Sequence, residues 1–127
     1  MSAPPIPEKV LRFLEGHIDT VPQLEALLLM RADALHAWDE GELAARVYVD
    51  RETARGILQA LCRRLLIVTQ DSVRYLYEPK MENGAELIDE VAAVYRQHLV
   101  AVANYIHSKA SVSVLEFARA FDLKKNR

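Results

Sequence analysis

The chain has 127 residues, 51% of them hydrophobic, so one domain can bury about two-thirds of its unfolded surface and hold a core without metal or disulfide. Sixteen lysines and arginines against eighteen aspartates and glutamates leave a formal charge of −2, without the basic excess usual in a dedicated nucleic-acid domain. The single cysteine, Cys62, excludes an internal disulfide, and no apolar run approaches the roughly 18 residues of a membrane span; the chain is expected to be soluble and cytoplasmic.

From the N-terminus, Pro7 to Leu14 predicts a short helix ended by Gly16. Thr20 followed by Gln23 is a capping-box pattern, with Pro22 in the first turn, where its missing N–H costs nothing. Leu24, Leu27 and Leu28 supply the apolar face of this second helix. Ala32 to Ala37 is a small-residue connector, His36 is expected at the surface, and Trp38 is expected to pack on a sheet.

Asp39 and Glu42 form a second capping box, which starts a short helix with Leu43, Ala44 and Val47 as its apolar stripe. The chain turns around Tyr48 and Val49, and Asp50 caps a longer helix that begins at Arg51. Its residues Ala54, Ile57, Leu58, Leu61 and Leu65 share one face at 100° per residue, while Glu52, Gly56, Gln59 and Arg63 lie opposite with Arg55 on the flank. Leu66 to Thr69 and Val73 to Tyr77 bracket Gln70-Asp71-Ser72 and read as a hairpin that stops at Pro79.

Downstream of Met81 to Gly84, one long helix is predicted from Ala85 to about Ser108. Ile88, Ala92, Tyr95, Leu99, Val102 and Ile106 recur at alternating steps of 4 and 3, a seam suited to a facing helix. A parallel seam runs through Leu87, Val91, Val94, His98, Ala101 and Tyr105, and together the two are wider than one core needs. The surplus predicts a homodimer through the first seam; the alternative is that the helix is sandwiched between the winged domain and the C-terminal segment of the same chain. Ser113 and Glu116 cap a short terminal helix carrying Phe117 and Phe121, and the chain ends in a small basic tail, Lys124, Lys125 and Arg127.

No residue pattern announces catalysis. His17, His36, His98 and His107 lack metal-ligand spacing with one another or with Cys62, and there is no glycine-rich phosphate loop or nucleophile elbow. The expectation is therefore no enzyme, no metal and no cofactor.

The order from Trp38 to Tyr77, short helix, tight turn, longer helix and hairpin, resembles the winged helix-turn-helix of bacterial transcription regulators. The resemblance implies a mainly α fold with a small β-hairpin. Residues 1–80 would be a winged-helix domain, and 81–127 a helical extension that packs on it and dimerises. It further implies a transcription regulator that binds double-stranded DNA, with the helix after Asp50 in the major groove and the hairpin as the wing. Arg55, Gln59 and Arg63 would reach base edges while Arg51 and Arg74 hold phosphates. In that family a glycine usually closes the longer helix in a left-handed conformation, and here Arg64 or Leu65 stands in its place. The acidic balance, with Asp39, Glu40 and Glu42 on the short helix, favours an alternative: a winged-helix adaptor that binds another protein and no nucleic acid.

Overall fold

Three side-chain caps decide where helices begin in the computed structural model, which describes residues 6–110. Thr20 accepts the Gln23 N–H at 3.2 Å, Asp39 accepts that of Glu42 at 2.8 Å, and Asp50 accepts that of Thr53 at 2.6 Å. The elements are α1 (Glu8–His17), α2 (Val21–Ala32), α3 (Glu40–Val47), α4 (Arg51–Arg63), β1 (Ile67–Thr69), β2 (Tyr75–Tyr77) and α5 (Gly84–Gln97). A further helix, α6, occupies 99–110. The described residues are thus mainly helical, with one small antiparallel sheet.

The capping box at α3 is complete, because the Glu42 carboxylate also accepts the Asp39 N–H at 3.1 Å. At α2 it is displaced by one residue: the buried Gln23 side chain accepts the Asp19 N–H at 2.7 Å, where the sequence pattern placed Thr20. In the sheet, Ile67 pairs with Tyr77 and Thr69 with Tyr75. Trp38 lengthens this ribbon through an isolated bridge, exchanging two 2.8 Å backbone hydrogen bonds with Tyr75. The predicted contact of Trp38 with the sheet is therefore made by its backbone, and its ring is buried. His36 is only partly exposed: its ring meets Trp38 edge-on at 4.5 Å, and its Nε2 lies 3.1 Å from Glu42.

The close of α4 answers the glycine question raised by the sequence. The Leu66 N–H reaches Leu61 O at 3.1 Å and the Leu65 N–H reaches Cys62 O at 3.0 Å, the paired bonds of a Schellman motif. Leu65 occupies its left-handed position with φ 64° and is 57% exposed, so it leaves the apolar stripe assigned to it by periodicity. Leu66 and Leu61, both buried, make the hydrophobic closure of the motif.

One core joins α1 to α6, and it includes Phe13, Leu24, Leu43, Leu58, Ile67, Ile88 and Val102. Ion pairs strap α5 to its neighbours, Lys9 to Glu90 at 3.1 Å and Arg31 to Asp89 at 2.7 Å. The Tyr95 hydroxyl adds a hydrogen bond to Glu25 at 3.0 Å.

Three expectations are corrected. α1 continues to His17, with Gly16 inside its last turn. The long helix over 85–108 is two helices, broken at His98, where φ is −133° and ψ is 48°. His98 still donates its N–H to Val94 O at 2.8 Å and accepts the Val102 N–H at 3.0 Å, so it ends one helix and starts the next. A straight helix of that span would be about 36 Å long and would outrun a core of this size; the break turns Ile88, Val91 and Val94 of α5 and Val102 and Ile106 of α6 into the same interior. The seam assigned to a second copy is accordingly divided. Ile88, Val102 and Ile106 are fully buried within the chain, Ala92 and Tyr95 are partly buried, and Leu99 is 52% exposed. The terminal helix expected from Ser113 and the basic tail lie outside the described residues.

A leucine in the left-handed region costs roughly 1–2 kcal/mol that glycine avoids, less the backbone entropy glycine loses on folding. Leu65→Gly is therefore expected to raise stability by about 0.5–1 kcal/mol in urea denaturation, and a loss of stability would contradict this account of the helix end.

Candidate nucleic-acid interface

α4 turns Ala54, Ile57, Leu58 and Leu61 into the core, and this burial fixes which of its residues face water. Arg51, Arg55, Gln59 and Arg63, spaced by four, are all exposed. Gly56 is exposed on the same side, and a Cβ built there would meet nothing within 4 Å, so the fold does not require glycine at this position. The hairpin tip stands beside this face, presenting Val73 at 59% exposure together with exposed Arg74. A cleft of about 300 Å³ lies between them, lined by Asp39, Glu40, Arg51, Arg55, Gln59 and Val73 among others.

Local hydrogen bonds tie the tip. Asp71 accepts the N–H groups of Val73 and Arg74 at 2.9 and 3.0 Å, and the Thr69 hydroxyl donates to Arg74 O at 2.8 Å. The Arg74 amide, then that of Val73, holds the Asp71 carboxyl below its usual range.

The five predicted DNA contacts divide into two groups. Arg55 donates through Nε to one Glu40 oxygen at 2.9 Å and through Nη2 to the other at 3.1 Å, a bidentate pair across α3 and α4. Arg51 Nε lies 3.7 Å from the same carboxylate. The hydrogen bond from Arg55 lowers the Glu40 pKa, and the same bond raises that of Arg55. Among the described residues, the side chains of Gln59, Arg63 and Arg74 make no hydrogen bond or ion pair.

Arg64, part of the basic surplus counted along this helix, does not belong to the face. It donates to His17 O at 2.5 Å and to Asp19 at 2.8 Å, closing the corner between α1 and α2. Lys109 of α6 joins it there, donating to Leu14 O at 3.0 Å and Ile18 O. Both cations sit on carbonyls at the C-terminus of α1, where the helix dipole is negative; Leu14 O accepts the Ile18 N–H at 3.1 Å as well as Lys109. Burial pulls the Lys109 pKa down, against the nearby Asp19 charge.

Sequence reasoning passed over two residues here. Glu40 was read only as an acidic neighbour, and its reach to Arg55 depends on how α3 crosses α4. Tyr48, between these helices, is left-handed at φ 59° and 92% exposed; the signal available was a large aromatic where a tight turn favours glycine or asparagine. Among the described residues, no three histidine, cysteine, aspartate or glutamate side chains group to hold a metal ion. No helix of the described residues is long and apolar enough to cross a membrane.

Two outcomes test this geometry. Gly56→Ala is expected to stabilise the isolated protein by about 1 kcal/mol through helix propensity alone, measured by urea denaturation. Because the folded pKa of Glu40 lies below its unfolded value, its contribution to stability is present above the ordinary carboxylate range and is lost as pH falls through the folded value. The stability difference between wild type and Glu40→Gln should therefore be largest near neutrality and vanish in acid; a constant difference across that range would exclude the ion pair as its source. Comparison of the chain with protein-family models, with curated proteins and with solved structures finds no match.

Proposed function

We propose that the protein is a transcription regulator of the winged helix-turn-helix type that binds double-stranded DNA. The observation that carries this reading is the exposed row Arg51, Arg55, Gln59 and Arg63 on a helix whose other face is core, beside a hairpin that offers Arg74. The order of α2, the Trp38 bridge, α3, α4, β1 and β2 supports the winged-helix assignment. With 13 residues α4 is about 20 Å long, and a helix fits the roughly 12 Å width of a major groove. Gln59 and Arg63 suit base edges and Arg74 suits a phosphate; Arg51 reaches a phosphate only against the Glu40 carboxylate 3.7 Å away, so the salt slope is expected between about −1 and −2.

One observation favours a second reading, the protein-binding adaptor. Glu40 engages both Arg51 and Arg55, and with Asp39 and Glu42 it makes the start of α3 acidic where a phosphate would otherwise be attracted. The homodimer also remains a proposal. Leu99 and its neighbour Val100, 52% and 68% exposed, are the apolar surface that α6 leaves for a second copy. Light scattering at tens of micromolar tests this, and the mass of a single chain would remove it.

For the regulator reading, Arg63→Ala is expected to weaken a selected duplex by about 1–3 kcal/mol and blur its preference, whereas Arg74→Ala weakens all duplexes alike and flattens the salt slope by about one. Anisotropy titrations measure both effects, and neither exposed substitution should move the melting temperature. If the wild type shows no saturable binding to any duplex below about 10 μM at low salt, the regulator reading fails and the adaptor takes its place.

A further inference from the structure

Arg55 carries two hydrogen-bonding edges, and only one of them is used inside the protein. The side edge, Nε–H and one Nη2–H, is taken by the two oxygens of Glu40 at 2.9 and 3.1 Å. The end edge, formed by Nη1–H and the second Nη2–H, has no partner among the described residues. Resting on the DNA-binding reading above, we propose that Glu40 is a positioning residue that holds Arg55 so that its end edge reads a single guanine in the major groove.

The chemistry selects this ligand over the two obvious competitors. Guanine offers adjacent acceptors, O6 and N7, whose spacing matches paired N–H groups, and arginine on guanine is the commonest specific contact in the groove. A backbone phosphate approaching Arg55 would come close to the Glu40 carboxylate, and the two anions repel. Glu40 thus turns Arg55 away from phosphates while leaving its base-reading edge open. The anchorage of Glu40 is suited to this task. It follows the capped Asp39 directly, so the closed capping box fixes the backbone that carries it. Its side chain is 27% exposed, against 57% for Arg55, so the carboxylate is the more enclosed partner. Arg51, 3.7 Å away, adds a second positive charge that keeps the carboxylate ionised. Gln59, one helical turn beyond Arg55, remains available for a neighbouring base.

The test begins with selection from a pool of randomised duplexes by the wild-type chain. Each guanine of the enriched sequence is then replaced in turn by 7-deazaguanine, which lacks the N7 acceptor. At one position the replacement is expected to weaken wild-type binding about tenfold while leaving Arg55→Ala unaffected. Glu40→Gln, with its fold checked by thermal melting and Trp38 fluorescence, is expected to bind random duplex at least as tightly as the wild type but to lose most of that tenfold discrimination. A purely structural role for Glu40 would lower both affinities together and leave their ratio intact, and that result would overturn the proposal. So would tighter binding to every duplex with discrimination retained, which would make Glu40 a mask over Arg55. Insensitivity of the wild type to every 7-deazaguanine would remove Arg55 as the guanine reader while leaving DNA binding in place. Absence of any saturable duplex binding is the distinct result that defeats the regulator reading, and this inference with it.

Discussion

Ala54, Ile57, Leu58 and Leu61 leave water together when α4 docks, and the rest of the structure is arranged around that stripe. Burying the three larger side chains contributes on the order of 1.5–3 kcal/mol each, far more than any exposed ion pair on the same helix. The stripe sets the rotation of α4, and the rotation decides that Arg51, Arg55, Gln59 and Arg63 face solvent. α3 packs against one side and carries Glu40 within reach of Arg55. The Schellman closure at Leu65 then reverses the chain, so that β1 leaves alongside the helix it has just ended. The exposed row is in this sense a by-product of the core.

The distribution of charge follows from the same packing. An acidic chain presents a locally basic helix because its carboxylates are drawn into other tasks. Asp50 and Asp39 cap helices, Asp71 ties the hairpin tip, and Asp89 and Glu90 strap α5 to α2 and α1. Cations are redistributed in the opposite sense. Arg64 and Lys109, both only partly exposed, are engaged at the carbonyl end of α1, joining α4, α6 and the α1–α2 corner. What remains on the outer face of α4 is the row Arg51, Arg55, Gln59 and Arg63 with Glu52 beside it, and Glu40 engages two of the arginines.

Local signals were readable wherever one short segment decided the outcome. The caps at Thr20, Asp39 and Asp50 and the hairpin are set by side chains a few residues from the backbone they control. The starts of α2, α3 and α4 stand where those signals put them, while the strands are shorter than expected, Leu66 lying outside β1 and Val73 and Arg74 belonging to the tip. The readings failed where periodicity was extended past a local conformational choice. Leu65 fits the 3.6-residue repeat of α4, but the helix had already turned at Arg64. The seam through Ile88, Leu99 and Ile106 is regular in sequence, but the bend at His98 places its members in different environments.

The sequence by itself determined the element types, the solvent face of α4 and the residues exposed on it, because hydrophobic period and capping chemistry act within a turn or two of helix. The left-handed close of α4 was implied only by the resemblance, which left it open between Arg64 and Leu65; the structure puts it at Leu65. Only the tertiary structure decided that Arg55 is held by Glu40 from fifteen residues away, that Arg64 closes a corner forty-five residues upstream, and that the apolar surplus of α5 and α6 is largely consumed inside the chain. Such pairings depend on where helix axes cross. Those crossings are set by the summed packing of the whole core, which no local window of residues contains.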